Sequence, residues 1–96
     1  MISAAQMRAA RALAGIDQRQ LAEKAGLSVP TVQRMEASEG VIRGNVDSLI
    51  KIVEALDAFG IELIAEGGLS QGNGRGVRLK VRAHTEPSAE PDGAAQ

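Results

Sequence analysis

The stretch Asp17-Gln18-Arg19-Gln20-Leu21-Ala22-Glu23-Lys24-Ala25-Gly26-Leu27-Ser28-Val29-Pro30-Thr31-Val32-Gln33-Arg34-Met35-Glu36 reads as two short helices joined by a tight turn, and that reading decides the fold. Asp17 is a good N-cap. Gln20, three residues on, completes a capping box in its Asp variant. Leu21, Ala22 and Ala25 form an apolar stripe at helical spacing. Gly26 follows, where a left-handed residue ends a helix at little cost. Leu27 is an apolar plug in the turn. Ser28 caps the second helix, and Pro30 lies in its first turn, where the missing N–H costs nothing. Val32 and Met35, with Val29 before them, give this helix an apolar edge, and the small Ala22 and Ala25 let it cross the first closely. A pair built this way holds one helix rigidly while presenting the first turn of the next.

Outward from this core the helical reading continues. Ser3 caps a helix running to about Ala14, with Gln6 completing its capping box. Met7, Ala10, Leu13 and Ala14 line one face, and Gly15 stops it. Ile16 is placed to pack back as a hydrophobic staple. Ala37 to Gly44 reads as a connecting loop. Asn45 caps a last helix ending at Gly60, with Asp47 favoured at its positive end. Val46, Leu49, Ile50, Val53 and Leu56 are its expected inner face, with Ile52 and Phe59 flanking. The period then changes. Ile61-Glu62-Leu63-Ile64-Ala65-Glu66 has strand character, and Val77-Arg78-Leu79-Lys80-Val81-Arg82 alternates apolar and basic residues as a half-buried strand does. Gly67 to Gly76, holding five of the chain's eleven glycines, reads as the loop between them. The two strands are expected to close a hairpin or to join a second copy in a shared sheet, because an isolated two-stranded hairpin is marginal. From Ala83 to Gln96 the composition is that of a disordered tail.

The capped helix pair resembles the Cro/C1-type (phage-repressor-like, XRE) helix-turn-helix regulators. Gln18, Leu21-Ala22, Ala25-Gly26-Leu27-Ser28, Thr31-Val32 and Arg34-Met35-Glu36 carry the resemblance, which spans roughly residues 6 to 60. It implies a mostly α, four-helix domain over 1–60 that binds double-stranded DNA, with the helix-turn-helix unit at 17–36; the C-terminal β-hairpin at 61–82 and the tail at 83–96 extend it on the reading of their own residues. It also implies that the third helix enters the major groove.

The expected base contacts are Ser28, Val29, Pro30, Thr31 and, one turn on, Arg34. Arg34 is suited to a bidentate contact with a guanine edge, and Val29 and Thr31 offer methyl groups to a thymine. Pro30 departs from the polar residue that family members often carry there. Gln18 and Arg19 sit where free backbone N–H groups favour a phosphate, and the resemblance gives Gln18 a backbone-positioning role. Gln33, Arg43 and Asn45 are further phosphate candidates; such contacts add salt-dependent affinity without sequence information. The resemblance also implies a structural ion pair between Arg11 and Glu36. Gln18 is alternatively a solvated first-turn residue, and Arg34 alternatively pairs with Glu23 or Glu36. Arg78, Lys80 and Arg82 read as the solvated face of a strand that discourages edge-to-edge association. Gly72 to Gly76 lacks the ending of a phosphate loop, and His84 belongs to the tail.

Composition bounds the remainder. Hydrophobic residues make up 44% of 96, enough for one core, but the only aromatic is Phe59, so the core is aliphatic and modest. There is no cysteine and one histidine, which leaves no disulfide, no thiolate metal site and little for an enzyme to work with. Neither a cofactor nor a metal is expected, and no apolar run suggests a membrane span, so the cytoplasm is the expected location. The formal net charge is −1, but the tail holds Glu86, Glu90 and Asp92 and no basic residue; without it eleven basic residues stand against nine acidic. A weakly basic domain relies on local patches and on fit. The expected form is a homodimer through the C-terminal strands on a pseudo-palindromic site. Two alternatives are an antitoxin-type protein-interaction module, whose C-terminal strands mask a protein partner, and a helix-turn-helix scaffold that no longer binds DNA.

Overall fold

The computed structural model describes residues 2–80. Four helices follow one another: α1 Ala4–Ala14, α2 Gln18–Ala25, α3 Val29–Ala37 and α4 Val46–Ala58. Each begins at the expected cap. Ser3 and Asp17 close full capping boxes with Gln6 and Gln20, Ser28 accepts from the Thr31 amide, and Asn45 accepts from the Asp47 amide. Gly15 and Gly26 end α1 and α2 in the left-handed region, with φ of 72° and 73°. That conformation lets the chain reverse within a residue and keeps α2 tight between its neighbours.

The core is aliphatic, built on Met7, Leu21, Val32, Ile52 and Leu56, all fully buried. Ala22 and Ala25 are buried beside Leu21, so α2 packs closely against both α3 and α4. Ile16, Leu27 and Val29 add partly buried surface at the turns.

Several features of the architecture differ from the sequence reading. On α1 the buried residues are Ala4, Met7 and Ala10, while Leu13, expected on the same face, is 50% exposed. On α4 the buried residues are Leu49, Ile52, Ala55 and Leu56. Val46, Ile50 and Val53, expected to face inward, lie on the exposed side, with Val46 63% exposed. Both sets recur at helical spacing, so periodicity alone defines an apolar arc wider than the core can cover. Ile52, expected at the flank, is the residue the core takes. The segment 37–44 is also more than a connector. Ser3 and Val41 form an antiparallel bridge, flanked by Ala4 N–H to Gly40 O and Ile42 N–H to Ile2 O, both 3.0 Å. Ile2 and Ile42 are buried beneath this clip.

The expected β-hairpin does not form among the described residues. Segments 61–66 and 77–80 carry no strand ladder; Val81 and Arg82, the rest of the expected second strand, lie outside the described residues, as does the expected tail 83–96. Ile61 and Leu63 pack on the core, Ile61 N–H reaches Leu56 O, and Gln6 Nε2 donates to Ile64 O. Residues 61–64 are thus fastened to the helical unit. Beyond them the loop is held by side chains: Glu62 accepts from Ser70 Oγ and the Gln71 amide, and Arg78 donates to the carbonyls of Ala65 and Gly68. An aliphatic core completed by α4 and residues 61–64 offers no second layer for a two-stranded ribbon to cover, which removes the burial that would hold it.

Candidate nucleic-acid interface

The side chains at the start of α3 are set by its cap. Ser28 Oγ accepts from the Thr31 amide at 3.2 Å and lies 2.9 Å from Thr31 Oγ1. Pro30 stands in the first turn and is exposed, as are Ser28, Gln33 and Arg34. Val29 and Thr31 are half-buried, and Val29 packs against the core. This leaves less of the Val29 side chain outward than its position in the first turn suggests. Arg34 Nη2 donates to Thr31 Oγ1 at 3.3 Å. Among the described residues the ion pairs are Arg11–Glu36 and Lys51–Asp47, so the Arg34 charge pairs with neither Glu23 nor Glu36.

Across from α3 stands the N-terminal turn of α4. An open groove of about 490 Å³ runs between them, with Thr31 and Arg34 on one side and Arg43, Asn45 and Ser48 on the other. Its apolar lining is Met35, Ile42 and Leu49, each also part of the core. The groove therefore joins one base-contact candidate, Arg34, to two phosphate candidates, Arg43 and Asn45. Its electrostatics favour an anion, since two guanidinium groups meet the positive end of a helix. Ile42 fixes the groove's far side by being clipped to Ile2, a role the sequence reading missed in a short stretch of loop. The sequence shows two apolar residues, Val41 and Ile42, between Gly40 and Gly44, and nothing local tells which of them is buried.

Behind α3 lies the polar centre of the molecule. Glu36 is only 4% exposed. Arg11 meets it through two parallel hydrogen bonds, Nε to Oε2 at 2.6 Å and Nη2 to Oε1 at 2.8 Å. Gln18 Nε2 donates to the same Oε1 at 3.0 Å, and Arg8 donates to the Glu36 backbone carbonyl. Arg11 also donates to Ile16 O. Burial pushes the Glu36 carboxyl up; the hydrogen bonds from Arg11 and Gln18 and the charges of Arg11 and Arg8 outweigh it and hold it below its ordinary value. The Arg11 guanidinium is raised above its ordinary value, chiefly by its hydrogen bond to Glu36. Gln18 is thus half-buried and tied to the ion pair, while its backbone N–H remains at the N-terminus of α2. Arg19, its neighbour, is exposed. Arg8 was not among the residues singled out from sequence; its role needs the C-terminus of α3 brought beside α1.

In space, then, the first turn of α3, the groove toward α4 and the start of α2 carry the polar and cationic groups expected to meet DNA. The Arg11–Glu36–Gln18 network locks the start of α2 to the end of α3. No helix among the described residues is long and apolar enough to cross a membrane. A family model described as helix-turn-helix matches residues 7–64. That span begins inside α1, takes in all of α2, α3 and α4, and ends with the segment fastened to the core. No curated protein and no solved structure matches the chain.

Proposed function

The chain belongs to the Cro/C1-type helix-turn-helix family of DNA-binding regulators, and on that premise we propose that it is a sequence-specific transcriptional regulator. The first turn of α3 enters the major groove. Arg34 reads a guanine edge, while Ser28, Val29, Pro30 and Thr31 contribute shape and methyl contacts. Arg43 and Asn45, across the groove from Arg34, take a phosphate, and the start of α2 with Gln18 and Arg19 takes another, with Gln33 at the flank. The observation that carries this reading is the juxtaposition of Arg34 with Arg43 and the α4 N-terminus on one open groove, beside a recognition helix whose register is fixed by the buried Arg11–Glu36 pair. The regulator works as a homodimer in the cytoplasm, placing two copies of α3 about one helical turn apart on a pseudo-palindromic site.

The test is selection from random duplex DNA with purified protein. An enriched inverted repeat is the expected result, and its spacing defines the dimer. If folded protein at low salt enriches nothing, the reading fails. A second reading has one observation in its favour. Leu69, Val77 and Leu79 are exposed in the single chain, which suits an antitoxin-type protein that uses its C-terminal segment to mask a protein partner.

A further inference from the structure

We propose that Thr31 is a positioning residue for DNA readout: its hydroxyl, braced by Ser28, holds the Arg34 guanidinium in the orientation that meets a guanine edge. The inference rests on the DNA-binding reading above and deepens it, by naming the residue through which Arg34 acquires its base specificity.

An arginine side chain has much rotamer freedom to lose. An exposed arginine gives it up only on binding, unless something already holds it. Arg34 is exposed and belongs to neither ion pair found among the described residues. What holds it is a neutral oxygen. Its Nη2 donates to Thr31 Oγ1 at 3.3 Å, one helical turn back and therefore on the same face. Val29 and Pro30, the other residues of that first turn, carry no polar side-chain atom that could replace Thr31.

Thr31 is itself fixed. It is half-buried, and its β-branch stiffens the first torsion. Its backbone N–H donates to Ser28 Oγ at 3.2 Å, and its Oγ1 lies 2.9 Å from the same oxygen. The protons can be followed along the chain. Oγ1 accepts from a charged donor, which makes the Thr31 hydroxyl a better donor in turn. Ser28 Oγ has two lone pairs and can accept both the amide and the hydroxyl proton of Thr31. The chain thus runs from Arg34 through Thr31 and ends at the N-cap of α3. The proton of Ser28 is left to point outward.

This bond selects an edge of the guanidinium. The group presents its N–H donors as forks, Nε with Nη2 and Nη1 with Nη2. Thr31 takes one of the Nη2 hydrogens, so one fork stays whole, and one whole fork is what a bidentate contact with guanine O6 and N7 requires. Asn45 and Ser48 line the same groove as Arg34 and offer other acceptors to a guanidinium that nothing holds.

The test measures binding of the full chain to its selected duplex and to duplexes altered at one base pair. Thr31→Val keeps the shape and the methyl group and removes the hydroxyl. It is expected to lower discrimination at the base pair read by Arg34 by about two- to tenfold and to leave the other positions unchanged. Thr31→Ser keeps the hydroxyl and is expected to retain that discrimination. In an Arg34→Ala background Thr31→Val is expected to change that position no further, the signature of two residues acting as one. Nuclear relaxation of the Arg34 Nε–H group in the free protein is expected to show a looser side chain in Thr31→Val and not in Thr31→Ser. The inference is overturned, with DNA binding left standing, by wild-type discrimination in Thr31→Val, by equal weakening on every duplex, by additivity with Arg34→Ala, or by a Thr31→Ser that loses as much as Thr31→Val. A folded wild type that prefers no duplex overturns the DNA-binding reading, and the inference with it.

Discussion

Glu36 is the one buried charged residue among the described residues, and its neighbours make the position of α3 depend on its charge. Removing one partner of a buried pair strands the other, which costs about 3 kcal/mol or more. Glu36→Ala and Arg11→Ala are therefore each expected to lower unfolding free energy by that amount in urea denaturation followed by circular dichroism. The double change Arg11→Met/Glu36→Leu should recover most of the loss, since an apolar pair of similar volume can replace a buried ion pair at little cost. The sign of the pH effect follows from the lowered Glu36 carboxyl. A group that titrates lower when folded adds stability that is full above its unfolded value, about 4.3 for a glutamate, and is lost as pH falls through the folded value. Acid denaturation midpoints should accordingly shift in Glu36→Gln, whose stability should vary less over that window. Arg34 acts on a different quantity. Arg34→Ala is expected to weaken preferred DNA sites by about 1–3 kcal/mol and to flatten discrimination at one base position. Equal weakening on all sequences would instead mark Arg34 as a phosphate contact.

At the scale of elements, the caps were legible because capping is local: Ser3–Gln6, Asp17–Gln20 and Ser28–Thr31 each close within one turn. The side of α4 that faces the core was not, because burial is decided by what stands opposite. Ile52→Ala, which opens a cavity under fully buried surroundings, should cost about 2–5 kcal/mol. Ile50→Ala should cost far less, and thermal unfolding of the two variants separates the faces directly. A similar loss for both would restore the inner face that periodicity suggested. The exposed row Val46, Ile50 and Val53 also explains why the pattern misled: an amphipathic helix with surplus apolar residues has no sequence mark that says which of them the core will use. The missing hairpin has the same origin. Alternation in 77–82 records a preference for a pleated, half-buried setting, and the single chain supplies no surface to half-bury it. The contacts of Arg8 with the end of α3 and of Ile42 with Ile2 were hidden because each joins residues distant in sequence.

For the molecule as a whole, basic and acidic residues nearly balance, eleven against twelve, and this bears on how DNA would be held. The candidate phosphate contacts include two cations per chain, Arg19 and Arg43. A dimer neutralising about four phosphates should show a slope of about −4 in log affinity against log salt. Titration of an isolated site across a range of salt measures it; a much steeper slope would bring Arg75, Arg78 and Lys80 into the interface. Most of the proposed binding surface lies within 17–36, whose caps and turn are local, while the placement of Arg43 depends on the clip between Ser3 and Val41. That clip joins the beginning of the chain to the segment just after α3, and so closes α1, α2 and α3 into a ring. A ring of this kind opens only when its helices part. Amide protons of Ala4 and Ile42, although outside the regular hydrogen bonding of any helix interior, should then exchange with solvent at the rate of global unfolding rather than by local fraying. The first residues of the chain would thus serve as an isotopic clock for the whole domain.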